Sequence, residues 1–157
     1  MEDVVIRRFE PTEKDARAFV GLGQWLQENS DFADCGFDKA KVLHLFVTVV
    51  ENPKYIGLMV EKNDEVIGAL FGFVQEYYFS HEKFALDMGF GILPDHRHLA
   101  KTVLPRLITK FEEWAKENGA RETCLSTSTL AHGEKLESAL HQFGYRTVGF
   151  TVKKTLT

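Results

Sequence analysis

The chain has 157 residues, of which 44% are apolar and 27% charged. That size and balance fit one ordinary globular domain and argue against disorder. A formal net charge of −4 argues against a nucleic-acid partner, and no apolar run reaches the roughly 18 residues of a membrane span.

The opening segment MEDVVIRRFEP lacks the charged-then-apolar plan of a signal peptide. Cys35 and Cys124 have neither CxxC spacing nor flanking ligands, so free thiols in a reducing cytoplasm are expected. With no repeat, low-complexity tract or Gly/Ser/Pro-rich linker, residues 1–157 read as one domain.

In chain order, Val4 to Phe9 is the first expected strand. Thr12 and Asp15 then form an approximate capping box. It opens a helix whose apolar positions Ala16, Phe19, Val20, Gly23 and Leu26 recur to about Glu28. A polar loop, NSDFADCGF, follows. Asp38 is the expected N-cap of a second helix with Val42, Leu45, Phe46, Val49 and Val50 on one face. Asn52-Pro53 ends it. Tyr55 to Lys62 and Val66 to Phe79 are expected to pair as a hairpin around Asn63-Asp64-Glu65.

Phe84 to Leu93 is the fourth expected strand. Simple alternation puts Leu86, Met88, Phe90 and Ile92 on one face and Ala85, Asp87, Gly89 and Gly91 on the other. The second face carries one carboxylate and almost no side-chain volume. Its glycines fit either a tightly packed neighbour or the close approach of a ligand.

Pro94 ends that strand, and DHRHLAK leads into a strongly periodic helix: Val103, Leu104, Leu107, Ile108, Phe111, Trp114 and Ala115. Asn118-Gly119 is its expected C-cap. Glu122 to Thr127 is a fifth strand, Glu134 to Phe143 a short helix before Gly144, and Tyr145 to Leu156 a closing strand. The expected order is therefore β-α-α-β-β-β-α-β-α-β. It implies an α/β (α+β mixed-sheet) fold with helices on both faces and a parallel pair across the long helical crossover.

The junction from the fourth strand to the long helix aims backbone N–H groups and the positive helix end at one place. Arg97 and Lys101 add charge suited to phosphate. An ordinary crossover with solvated basic residues is the alternative. His96 and His98 flank Arg97 but lack further ligand candidates, so no metal is expected. Ser126 to Thr129 with His132 lack a nucleophile elbow and read as strand-end hydroxyls.

The segment GILPDHRHLAKTVLPRLITKFEEWAKENGA resembles the acetyl-CoA-binding motif of the GNAT (Gcn5-related N-acetyltransferase) superfamily. There a strand end and a Pro lead to Arg/Gln-x-x-Gly-x-Gly/Ala and a long helix. Arg97 matches the Arg/Gln, Ala100 the first Gly and Thr102 the second small residue. VEKNDEVIGALFG resembles the family's central hairpin, and KLESALHQFGYRTVGFTVKKTL its C-terminal helix, Gly-Phe/Tyr turn and final strands. The chain differs from the pattern at Ala100, Thr102 and Pro105. It also has Leu140 where many relatives carry a Tyr that protonates the departing thiolate.

The resemblance implies an N-acyltransferase that uses acetyl-CoA, with a small-molecule or protein amine as acceptor. A GNAT-fold binding or structural protein without turnover is the alternative. It implies pyrophosphate on amides at His98, Leu99, Ala100, Lys101 and Thr102 beside Arg97, and pantetheine along Gly91, Ile92 and Leu93. Asp87 is the first candidate base and Glu76 the second. Relatives with an acid in this strand have it at the position of Leu86, one residue away, which a bulge would reconcile. Tyr78 or its neighbour Tyr77 is a candidate acid. Asp31 and Asp34 with Phe32 and Phe37 could receive a cationic amine, or could form a solvated loop with two aromatic anchors. Assembly is left open, a homodimer included.

Overall fold

The computed structural model describes residues 3–126 and 133–156. β1 (Val4–Arg8) leads to α1 (Glu13–Glu28), a 3-10 turn (Ala33–Cys35) and α2 (Lys39–Glu51). β2 (Tyr55–Lys62), β3 (Glu65–Glu76) and β4 (Lys83–Ile92) then follow directly. A second 3-10 turn (Pro94–Leu99) opens α3 (Ala100–Glu117), followed by β5 (Ala120–Cys124) and α4 (Gly133–Gln142).

Local chemistry sets these bounds. The Thr12 hydroxyl accepts the Asp15 amide at 3.2 Å, and the Asp38 carboxylate accepts the Lys41 amide at 3.1 Å. Each satisfies a donor that the first helical turn leaves without a partner. Asn63 and Asp64 both adopt positive φ, 51° and 63°, which fits the tight hairpin twist between β2 and β3. Gly119 ends α3 at φ 79°, a conformation that costs glycine little.

The sheet order is β1-β2-β3-β4-β5, antiparallel except for the parallel β4–β5 pair. One face carries α1 and α2, with Phe9, Phe19, Phe46 and Met59 in a shared cluster. The other carries α3, whose Val103, Leu107, Phe111 and Trp114 pack on Ile56, Leu70 and Phe90. Each such side chain contributes roughly 1.5–3 kcal/mol through burial.

Three expectations change. The third strand stops at Glu76, not Phe79, because Tyr77 N bonds Glu82 O at 3.0 Å and Ser80 N bonds Tyr77 O at 3.2 Å, closing a turn. Alternation along β4 breaks at a bulge: Phe71 pairs with Gly89 and Gly72 with Asp87, leaving Met88 unopposed. Ala85 and Phe90 consequently share the α3 face, and Met88 is 40% exposed. Finally, Tyr145 to Leu156 forms no strand, and β5 ends at Cys124. Val148, Phe150 and Val152 carry strand-like alternation but meet no sheet partner among the described residues.

Candidate functional site

The bulge and the end of β5 fall at the same level of the sheet. β4 and β5 pair from Lys83–Ala120 to Leu86–Cys124 and then part. Asp87 stands at the fork, 7% exposed, with its Oδ1 accepting the Ser126 amide at 2.7 Å. Burial drives its pKa up to about 6, with hydrogen bonds from the Ser126 amide and its own amide pulling the other way. A buried carboxylate with no cation against it among the described residues is the arrangement expected of a proton acceptor tuned toward neutrality.

Past the fork, β4 runs on with no strand partner on its β5 side among the described residues. Leu93 N bonds Ile67 O at 2.8 Å on the β3 side, so strand alternation turns the backbone groups of Ile92 and Phe90 to the open side. This edge leads to the Pro94–Leu99 turn and the N-terminus of α3. Leu99 is buried in the core, whereas Arg97, His98, Lys101 and Thr102 are exposed. Ala100 has φ −56° and ψ −41°, and its N–H reaches Arg97 O. Among the described residues the only non-glycine positive φ values are those of Asn63 and Asp64. The junction thus makes no conformational demand for glycine, and alanine fits at position 100 without strain. Pro105 lies inside α3 beyond its first turn. His96 Nδ1 is buried here without a hydrogen-bond partner.

A cleft of about 790 Å³ opens beside the fork, between β5, α4 and the C-terminal segment. Asp87, Glu112, Thr123, Ser126, Leu140 and Tyr145 are among its walls. Tyr145 Oη lies 2.8 Å from Thr123 Oγ1 and donates to Glu112 at 2.9 Å. Burial, and then the negative charge of Glu112, raise its pKa above the usual phenol value even though the Thr123 contact opposes this. Cys124 is raised too, by burial first and then by Glu122 and Asp87. That disfavours a thiolate nucleophile.

The other sequence candidates divide by position. Gly91, Ile92 and Leu93 end β4 as expected, although the Leu93 amide is engaged by β3. Gly89 does not face a ligand: a Cβ there would meet the Phe71 ring at 2.9 Å, so close packing against the neighbouring strand explains it. Glu76 pairs with Lys83 at the start of β4, four positions along the strand from Asp87, on the order of 13 Å away at strand rise. Tyr78 is 99% exposed on the same turn. Neither is brought to the fork.

Asp31 borders the cleft, and its carbonyl accepts Lys153 Nζ, which also sits 4.8 Å from the centre of the Phe32 ring. Asp34 is exposed on the 3-10 turn, and Phe37 packs toward Gly23 of α1. Thr127 to Thr129 and His132 lie outside the described residues. Sequence reasoning missed Glu112 and Thr123, which reach the site only through tertiary contact. Tyr145 is signalled by its place directly after the helix-ending Gly144. Among the described residues no helix is long and apolar enough to cross a membrane.

No protein-family model matches this sequence, and no curated protein matches it. Solved structures do. AAC(6')-Iy, in complex with the bisubstrate analog CoA-S-monomethyl-acetylneamine, superposes with a TM-score of 0.77 at 16% identity, covering 99% of each chain. Glucosamine-6-phosphate N-acetyltransferase from Arabidopsis thaliana gives 0.72 at 10%, covering 99% of this chain and 100% of that one. A transcriptional regulator from Bacillus halodurans C-125 gives 0.77 at 18%, covering 98% and 100%. Identities this low speak for architecture alone, and that architecture, a five-stranded mixed sheet with helices, is the GNAT fold.

Proposed function

We propose that this chain is an N-acyltransferase that moves an acetyl or other short acyl group from acyl-CoA to a primary amine of a small molecule or protein. The observation that carries the reading is the fork itself: a bulge at Met88, strands that part after Leu86–Cys124, and Asp87 buried where they part. The likeness to acetyltransferases, one of them holding a CoA-containing bisubstrate analog, supports the choice of reaction and donor.

The residues present fit such a donor. The strain-free backbone at Ala100, the exposed Arg97 and Lys101, and the partnerless buried Nδ1 of His96 suit a phosphate-bearing group at the start of α3. Gly91 to Leu93 and residues 97–102 are the segments that would hold it. When bound, acyl-CoA supplies an activated thioester.

The chain's own groups do the rest. A primary amine with pKa near 10.4 arrives protonated. Asp87, ionised above about pH 6, accepts that proton directly or through water and frees the lone pair for attack. The Ile92 amide, on the open edge of β4, is the donor available to a carbonyl oxygen gaining charge; the new N–C bond would replace the thioester C–S bond, and the amine's second proton would leave with the CoA thiol. Asp31 and Phe32 on the cleft rim suit a cationic acceptor with an apolar body.

The test is thermal unfolding with increasing acetyl-CoA. A ligand held by the native state alone raises the midpoint by mass action, so a dose-dependent rise is expected and a flat response overturns the reading. The second reading, a binding protein without turnover, is favoured by Leu140, a buried side chain where an acid would stand. A midpoint rise with no thiol release on any amine of a broad panel would select it.

A further inference from the structure

The turn between β3 and β4 gathers aromatic rings that its own closure does not need. Backbone bonds close it, Tyr77 N to Glu82 O at 3.0 Å and Ser80 N to Tyr77 O at 3.2 Å, and the Ser80 hydroxyl accepts the Glu82 amide at 3.1 Å. None of these bonds asks for a ring at positions 77 to 79. Tyr77 nevertheless stacks on Phe84 of β4 with centroids 4.4 Å apart and on Phe79 at 5.3 Å, the planes 26° and 25° from parallel. Tyr78 stands against Phe79 at 5.1 Å, its plane turned by 89°. Phe79 is 71% exposed and Tyr78 99%. Large rings gathered in water at one place mark a binding surface.

Geometry and charge select what binds there. The face of an aromatic ring carries negative partial charge and attracts a cation within about 6 Å of its centre. With the Tyr78 and Phe79 planes at a right angle, one ammonium group seated in their angle meets both rings. Carboxylates stand close by. Glu76 and Glu82 flank the rings in the chain, and Glu122 of β5 is paired with Phe84; all three are exposed. Burial, and then the charge of Glu122, raise the pKa of Tyr77, which sets that carboxylate beside the stack. The neighbouring bases are engaged: Arg121 Nε lies 3.3 Å from Glu122, His81 Nδ1 lies 3.5 Å from Glu76, and the Lys83 stem passes over Gly119.

We propose that the β3–β4 turn is a binding site for a small organic cation, an alkylammonium group held in the angle between Tyr78 and Phe79. An uncharged apolar ligand gains the rings but must strip water from the carboxylates, whereas an ammonium group is drawn to both. The seat is separate from the fork: it begins beside Glu76, on the order of 13 Å from Asp87 at strand rise. The inference therefore holds whatever reaction the cleft performs, and it is tested without turnover.

The test is aromatic-carbon NMR of the full chain, titrated at fixed ionic strength with choline and with its uncharged tert-butyl isostere. Choline is expected to shift the Tyr78 and Phe79 rings saturably. It should bind about 5-fold or more tighter than the isostere, the worth of roughly one cation–π contact. Tyr78→Ala should weaken choline binding by about 5-fold or more, whereas Tyr78→Phe, which keeps the ring, should stay within about 2-fold of the parent. Both variants should fold like the parent, because the Tyr78 side chain lies outside the core. Equal binding of the isostere would make the turn a plain apolar patch and overturn the proposal. So would the absence of any saturable shift, shifts confined to the Tyr145 ring in the cleft, or a Tyr78→Ala chain that binds choline like the parent.

Discussion

Among the described residues two carboxylates are buried, and they sit in opposite company. Asp15, 0% exposed near the start of α1, is gripped by the Arg7 guanidinium at 2.7 and 2.8 Å and by the Glu10 amide at 2.8 Å. Burial alone would raise its pKa, but the Arg7 and Glu10 hydrogen bonds prevail and hold it below the usual range. Arg7 is raised in turn, chiefly by Asp15, and also binds Glu61. Asp87 has a backbone amide and no cation, and burial prevails there. The comparison teaches that burial alone does not make a carboxylate reactive. A forked guanidinium turns one into a structural pin, and its absence leaves the other able to take up a proton near neutrality.

The largest test removes the pin. Arg7→Met strands the Asp15 charge in the interior and should destabilise the fold by about 3–5 kcal/mol in urea unfolding at pH 7. A loss under 1 kcal/mol would mean that Asp15 is not held by Arg7.

The second test reverses the sign at the other carboxylate. Asp87 binds its proton more tightly folded than unfolded, so its contribution is fully present below about pH 4 and is lost as pH rises through about 6. Asp87→Asn keeps an oxygen for the Ser126 amide and removes the buried charge. At pH 8 the variant should be more stable than the parent by up to about 3 kcal/mol, and the gain should vanish by pH 4. A variant equally stable at both pH values, or weaker at pH 8, would show that Asp87 is not strained by burial.

The smallest test sharpens the account of α1. Thr12→Ala removes the cap on the Asp15 amide and should cost about 1 kcal/mol, independent of pH between 5 and 8. A pH-dependent loss would instead tie the cap to the Asp15 charge.

The fold was legible in the sequence wherever a local rule acts over many residues. The helical stripe from Val103 to Ala115, the caps at Thr12 and Asp38 and the turn at Asn63-Asp64 all take the predicted form. What escaped depends on one residue or on distant contacts. A single bulge at Met88 reverses which face Phe90 and Ile92 share with Ala85, and no periodicity announces an added residue. Glu76 is a carboxylate one strand from Asp87, but the β3–β4 register sets it against Lys83, four positions along β4 from Asp87. Val148, Phe150 and Val152 have a strand's alternation but join no sheet among the described residues, because alternation records the form of a segment and not its partner.

The most direct test of the central claim, that the fork at Asp87 is where the amine loses its proton, is the pH dependence of thiol release from acetyl-CoA over a panel of primary amines, for the parent chain and Asp87→Asn. The parent should show a rising limb centred near pH 6. The variant should lose that limb and about 100-fold or more of its turnover, although the substitution stabilises its fold. Turnover in the variant equal to the parent's, with the limb still in place, would contradict the account.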